Sequence, residues 1–333
     1  MKKIKVIQIG VGHDHADMSM RTMLENSDVF EVAGYVVVPE DWCDVEYKNV
    51  HRFATVEEAL NTHGLDAAVI ECDECALTKY ALMAAKCGLH IQMDKPGGTD
   101  TDEYSDLINT VKEKKLAFNT GYMYRYNPAV LEIKRLIESG ELGEIFSVET
   151  QMNVGYHEAK RAWVEKFGKG GMLYFLGCHI IDLIYSILGE PEEIIPLTTG
   201  VYDDRDKVKD YGMVVYKYKN GVSFAKTTCC EQGGANRRQL VVCGTKGSCE
   251  LKPIELPCEE SDMLTCDLRT VIQKDNYKWW DQGATKTYGP FHRYKDMLLD
   301  FAAMARGEKG NPFTPDYELK LHDFIMRSCG VRS

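Results

Sequence analysis

The sequence predicts two mixed domains: an N-terminal doubly wound parallel α/β sheet, then an α+β domain on a mostly antiparallel sheet. Three observations predict it. The chain has 333 residues, more than one ordinary domain needs and enough for two. Over residues 1–121 short β-branched runs alternate with amphipathic helical stretches. Beyond residue 126 the runs lengthen into strict alternation and a hairpin turn appears between them.

In order, strands are expected at residues 5–9, 31–38, 67–71, 90–93 and 116–120. Amphipathic stretches at 14–24, 56–60, 75–87 and 101–114 join them through the right-handed crossovers that parallel pairing requires. Pro128 opens a helix reaching residue 139, with Val130, Ile133, Leu136 and Ile137 on one face, and Gly140 stops it. Alternating runs at 146–152, 213–218, 222–230, 239–243 and 248–251 predict an antiparallel sheet, interrupted by one helix over 172–188. Lys219-Asn220-Gly221 predicts an Asn-Gly hairpin turn. Helices at 294–305 and 316–327 close the chain. The domains are expected at 1–121 and 122–333, joined by a tight hinge near Gly121, with the last helix free to pack back on the first domain.

Composition narrows the partners. Forty basic against fifty-one acidic residues give a net charge of −11, which disfavours nucleic acid and anionic membrane surfaces. The opening apolar run is broken by Gln8 and is too short for a signal peptide, and no stretch reaches the length of a membrane span. A cytoplasmic protein is expected, with its twelve cysteines reduced and mostly buried. The pair Cys72 and Cys75 has no second C-x-x-C to complete a zinc site.

The first strand runs into Gly10-Val11-Gly12-His13-Asp14-His15 and then a helix. Gly10 permits a tight turn, and Gly12 lets the backbone approach a pyrophosphate at the helix N-terminus. This is the Rossmann arrangement, with His15 where a third glycine is usual. The second strand ends in Val36, Val37, Val38 and Pro39, so the first acid that could hold a ribose is Glu40. No arginine stands nearby for a 2′-phosphate, and NAD and NADP both remain open as cofactor.

Asp94-Lys95-Pro96 follows the fourth strand, at the carboxyl edge where such sheets bind ligands. A lysine there can stabilise an alkoxide as hydride leaves, or can simply be a surface residue paired with Asp94. His179 lies three residues before Asp182 on one helix, able to take a hydroxyl proton or to be satisfied by Asp182 in a core.

Together, Gly10-x-Gly12, Asp94-Lys95-Pro96, Gly121 to Pro128, Gly140 to Ile145 and Gly170-Gly171 with His179-x-x-Asp182 and Leu188 to Pro191 resemble the glucose–fructose oxidoreductase / inositol dehydrogenase / MocA (Gfo/Idh/MocA) family. The resemblance implies a Rossmann domain, a C-terminal domain on an open, largely antiparallel sheet, and NAD(P)-dependent chemistry on sugars, polyols or their acids. It implies that Lys95 contacts nicotinamide and substrate, that Asp94 stands in for the family's Glu, and that His179 is the catalytic histidine. It also implies a homodimer or homotetramer. Three departures stand out: Phe175 occupies the place of the family's Asp, Cys72-Asp73-Glu74 replaces Thr-Pro-Asn, and His13-Asp14-His15 replaces a smaller loop.

The expected site therefore has Lys95 and His179 as catalytic residues. Gly10, Gly12, His13, Asp14, His15, Val36, Cys72, Asp73, Asp94, Lys95, Pro96 and Tyr122 are expected around the dinucleotide. Tyr122, Arg125, Tyr156, Trp163, Tyr174, Phe175, His179 and Asp182 join Lys95 as candidates for contact with a small hydroxylated substrate, since aromatic faces and a guanidinium suit such a ligand. A non-catalytic dinucleotide sensor and a redox-neutral hydrolase or epimerase using NAD are the alternatives. A metal site of His13, Asp14, His15 and Cys72 is a weaker third, and no metal is expected.

Overall fold

The computed structural model describes residues 2–156, 158–258, 262–276 and 278–332. The chain divides into two compact units. One comprises Met1–Met123 with Tyr294–Asp323, the other Tyr124–Arg293 with Phe324–Ser333.

The first unit is built from β1 (Ile4–Ile9), α1 (Ala16–Glu25), β2 (Phe30–Val36), α2 (Val56–Leu60), β3 (Ala67–Ile70), α3 (Leu77–Lys86), β4 (His90–Met93), α4 (Thr101–Lys114) and β5 (Phe118–Thr120). The five strands are parallel in the order β2-β1-β3-β4-β5. Chain order reverses beside β1, a switch point of the kind at whose carboxyl ends open α/β sheets bind ligands. β1, β3 and β4 are buried along nearly their whole length; β3 is accordingly apolar throughout, and the polar Gln8 of β1 and Gln92 of β4 are buried with their strands. Ile7, Ile9, Ile70, Leu77, Ile91 and Leu107 lie in one apolar core between sheet and helices.

In the second unit come α5 (Pro128–Glu138), β6 (Ile145–Asn153), α6 (Glu158–Ala162), α7 (Gly171–Phe175) and α8 (Cys178–Leu188). Strands β7 (Glu193–Thr199), β8 (Tyr211–Tyr218), β9 (Gly221–Thr228), β10 (Gln239–Gly244), β11 (Gly247–Leu251), β12 (Leu256–Pro257), β13 (Met263–Ile272) and β14 (Ala284–His292) follow. They form a nine-stranded sheet, β12-β13-β11-β10-β6-β9-β8-β7, with β14 paired to β13. All pairs are antiparallel except β6 with β9, so the sheet is mixed. Asn127 caps α5, its side chain accepting from the amides of Ala129 and Val130.

Two differences from the sequence reading have local causes. The helix expected over 172–188 breaks into α7 and α8, because the Met172 carbonyl accepts from both Leu176 and Gly177 and closes the first segment. At the hairpin, Tyr218 pairs with Gly221, so Lys219 and Asn220 form the turn and Gly221 begins β9. There a Cβ would fall 1.8 Å from the Phe146 carbonyl oxygen. Strands β7, β12, β13 and β14 carried no expectation. The remaining helices are α9 (Lys295–Ala305) and α10 (Pro315–Ser328).

Candidate active site at the carboxyl edge of the parallel sheet

Gly10 follows β1 with φ +89°, in the left-handed region, and a Cβ there would meet the Cys72 backbone at 2.4 Å. Only glycine fits. Its amide donates to the Val36 carbonyl at 2.8 Å, fixing the loop to the end of β2. His15 stands at the N-cap of α1 without a side-chain cap bond.

The amides of Val11 and Gly12 donate to the two carboxylate oxygens of Asp41, each at 2.9 Å, and the Val38 amide donates to the same group at 3.0 Å. A Cβ on Gly12 would lie 2.5 Å from Asp41 Oδ1. The Trp42 indole donates to the Gly12 carbonyl, and the Cys43 thiol to that of Val11. Burial raises the Asp41 pKa against the opposing pull of its amide bonds. The loop thus already cradles an anion. A pyrophosphate oxygen would need the same two amides, and so the displacement of Asp41.

Asp41 was missed from the sequence, where the search stopped at Glu40. β2 ends at Val36, two residues earlier than expected, and the following turn folds back over the glycine loop. Glu40 itself is bound to Lys79 at 2.7 Å and to the Tyr80 hydroxyl at 2.6 Å.

Asp94 and Lys95 leave β4 almost fully buried, at 2% and 1% exposure. Asp94 Oδ1 accepts from the Lys95 amide at 2.6 Å, and Oδ2 lies 2.9 Å from His15 Nδ1 and 3.3 Å from His13 Nδ1. Burial opposes the charge on Asp94, but His13, His15 and Lys95 outweigh it and hold the carboxyl well below the usual range. Glu71, just past β3, moves the opposite way, pushed well up by burial and then by the Asp94 charge. Burial also lowers the His13 pKa well below its ordinary value and pushes the Cys72 thiol well up, which leaves that thiol unreactive.

The other cofactor candidates lie on this edge or its turns. Asp73 accepts from the Cys75 amide at 3.0 Å, Asp14 is exposed, and Tyr122 is buried just beyond β5. A buried ammonium within reach of a held carboxylate can donate to an oxygen on which negative charge develops.

In the second unit, Arg125 and Asp182 are joined by an ion pair with both side chains at 0% exposure, Nη2 to Oδ1 at 2.7 Å and Nε to Oδ2 at 3.0 Å. This pairing engages both groups inside the unit. His179 is buried, its ring edge-on to Tyr124 at 5.3 Å. Phe175 stacks on Phe167 at 5.3 Å and meets Trp163 edge-on at 4.8 Å, with Tyr174 beside Phe167. Tyr156 lines a separate cleft of about 540 Å³ with Glu158, Arg161, Tyr202, Asp203 and Asp204. Arg161 is bound there by Asp204 and Asp210.

Residues 130–250 match the family model described as GFO/IDH/MocA C-terminal domain. The chain is 26% identical over 189 residues to the oxidoreductase YhhX of Escherichia coli, covering 56% of this chain and 54% of that protein. It is 22% identical over 222 residues to IolW of Bacillus subtilis, a scyllo-inositol 2-dehydrogenase (NADP(+)), covering 65% of this chain and 61% of that one. The match thus spans just over half the length of these relatives. The crystal structure of an oxidoreductase from Thermotoga maritima superimposes with a TM-score of 0.78 at 20% identity, covering 98% of this chain and 96% of the other. That likeness extends the expected two-part fold over the whole chain. Over residues 130–250 the chain thus matches the GFO/IDH/MocA C-terminal domain, in keeping with the family that the glycine loop and Asp94-Lys95-Pro96 of the first unit resemble.

Proposed function

We propose that the protein is an NAD(P)-dependent oxidoreductase that moves hydride between nicotinamide and a CH–OH carbon of a sugar, polyol or related small molecule. The observation that carries this reading is the buried Lys95, held with Asp94 at the carboxyl edge of a parallel sheet whose first loop already binds an anion. The relation to IolW supports the polyol class. When bound, the dinucleotide supplies the hydride acceptor or donor.

The chain's own groups supply the rest. Gly10 and Gly12 shape the loop, and the amides of Val11 and Gly12 hold the pyrophosphate. Lys95 steadies the substrate oxygen as it gains negative charge. Thermal unfolding with NAD, NADP and a polyol library tests the reading, since a ligand that binds only the native state must raise the melting temperature. No shift with either dinucleotide would overturn it.

A second reading, dinucleotide binding without turnover, draws on Phe175, locked among aromatic rings where the family's Asp is expected. Reduced cofactor appearing with any one polyol eliminates it.

Oligomerisation through the second unit is proposed from its sheet. Register places Ile195, Val215, Phe224, Glu149 and Val241 in one row across five strands, apolar except for Glu149 and with none of them fully buried. A cytoplasmic setting accords with twelve cysteines for which no disulfide is found among the described residues. Among the described residues no helix is long and apolar enough to cross a membrane.

A further inference from the structure

The geometry points to a divalent metal site formed by His13, His15 and Asp94 at the carboxyl edge of β1 and β4. One ligand atom from each lies within 4.8 Å of the others. Asp94 Oδ2 stands at the centre, 2.9 Å from His15 Nδ1 and 3.3 Å from His13 Nδ1. Donors roughly 2.0–2.2 Å from a tetrahedral ion lie roughly 3.3 Å from each other, which the two separations from Asp94 Oδ2 already approach, while the two imidazoles lie within 4.8 Å.

His13 Nε2 donates to the Lys95 carbonyl at 3.0 Å, since a carbonyl can only accept, and Nδ1 keeps the one lone pair of the ring. That Nδ1 accepts from the His15 amide at 3.1 Å and stands 3.3 Å from Asp94 Oδ2, so a bound ion would take the place of the amide bond.

A second observation points the same way. Glu71 Oε2 is buried without a hydrogen-bond partner and lies 3.9 Å from His13 Nδ1. It is placed to balance an ion's charge or to join its ligands. Nδ1 of His13 held by an Nε2 bond to a backbone carbonyl is also the arrangement that orients a ligating imidazole. The His15 side chain is 12% exposed, which leaves one side open for entry and for a water ligand.

Two imidazoles and a carboxylate with an open position suit Zn²⁺, Co²⁺, Ni²⁺, Fe²⁺ or Mn²⁺ better than Mg²⁺ or Ca²⁺, which prefer all-oxygen sites. The sequence reading expected no metal and paired the two histidines with Asp14 and Cys72. Asp94, distant in the chain, supplies the carboxylate that spacing could not reveal.

The test needs no dinucleotide and is independent of the proposed reaction. Chelator-treated protein is titrated with Co²⁺, following visible ligand-field absorption, and with Zn²⁺ by calorimetry. One equivalent should bind with a low-coordinate cobalt spectrum. His15→Ala and Asp94→Asn should each abolish stoichiometric binding, and Glu71→Gln, which spares the three donors, should weaken it by roughly 10–100-fold. Substitution of the exposed His51 or His63 should leave binding unchanged. Circular dichroism confirms that each variant is folded, and the wild-type cobalt spectrum requires no variant at all. Substoichiometric uptake by the wild type, a six-coordinate all-oxygen cobalt spectrum, or binding that survives in His15→Ala overturns the proposal.

Discussion

The Asp41 carboxylate is hydrogen-bonded to the Gly12 amide at 2.9 Å, on the backbone groups that a dinucleotide pyrophosphate needs. With the Val11 bond it occupies the anion cradle, and its charge would repel a phosphate brought there. Asp41→Ala should therefore tighten NAD(H) and NADP(H) binding by about tenfold, since one hydrogen bond to a charged group is worth about 1.5–3 kcal/mol. Calorimetric titration of both variants decides it. Weaker binding of NAD alone would instead make Asp41 the partner of the ribose hydroxyls.

The sequence made the first unit legible because short, largely apolar strands alternate with amphipathic helices between turn residues, and β4 lies at the expected residues, His90–Met93. Lys95 was legible for the same reason, as the second residue past a strand whose end could be placed. Asp41 was not, because its position depends on how a turn folds back, which no periodicity encodes. Nor was the Arg125–Asp182 pair, whose partners are brought together only by packing. In the second unit β14 is mostly exposed, so it lacks the apolar signature that reveals a strand.

Arg125 and Asp182 offer a stability test. Removing one partner leaves a buried, uncompensated charge, so Asp182→Ala should cost roughly 3–5 kcal/mol in denaturant unfolding. The double variant Arg125→Met, Asp182→Leu should recover much of that loss. A loss below about 1 kcal/mol in the single variant would show that the pair is not sealed from water.

His90 sets a pH dependence. Burial lowers its pKa from 6.5, and its Nδ1 accepts from the Ala117 amide at 2.8 Å, so the native state favours the neutral ring. The unfolded chain takes up the proton at the ordinary value, before the native chain does. Below pH 6.5 the unfolded state therefore binds more protons, and this contribution to stability is lost as pH falls through the lowered native value. Melting temperatures between pH 7.5 and 5.5, values bracketing that window by about one unit either side, should fall more steeply in the wild type than in His90→Asn. Parallel profiles would remove His90 as the cause.

The reaction itself is tested at Lys95. With a polyol found to bind, nicotinamide absorbance is followed in the wild type and in Lys95→Ala, alongside dinucleotide affinity. We expect turnover in the wild type and its loss in the variant, by on the order of 10²-fold or more, with cofactor affinity retained. Equal rates in the two proteins would contradict the assignment of the buried ammonium as the group that meets the substrate oxygen.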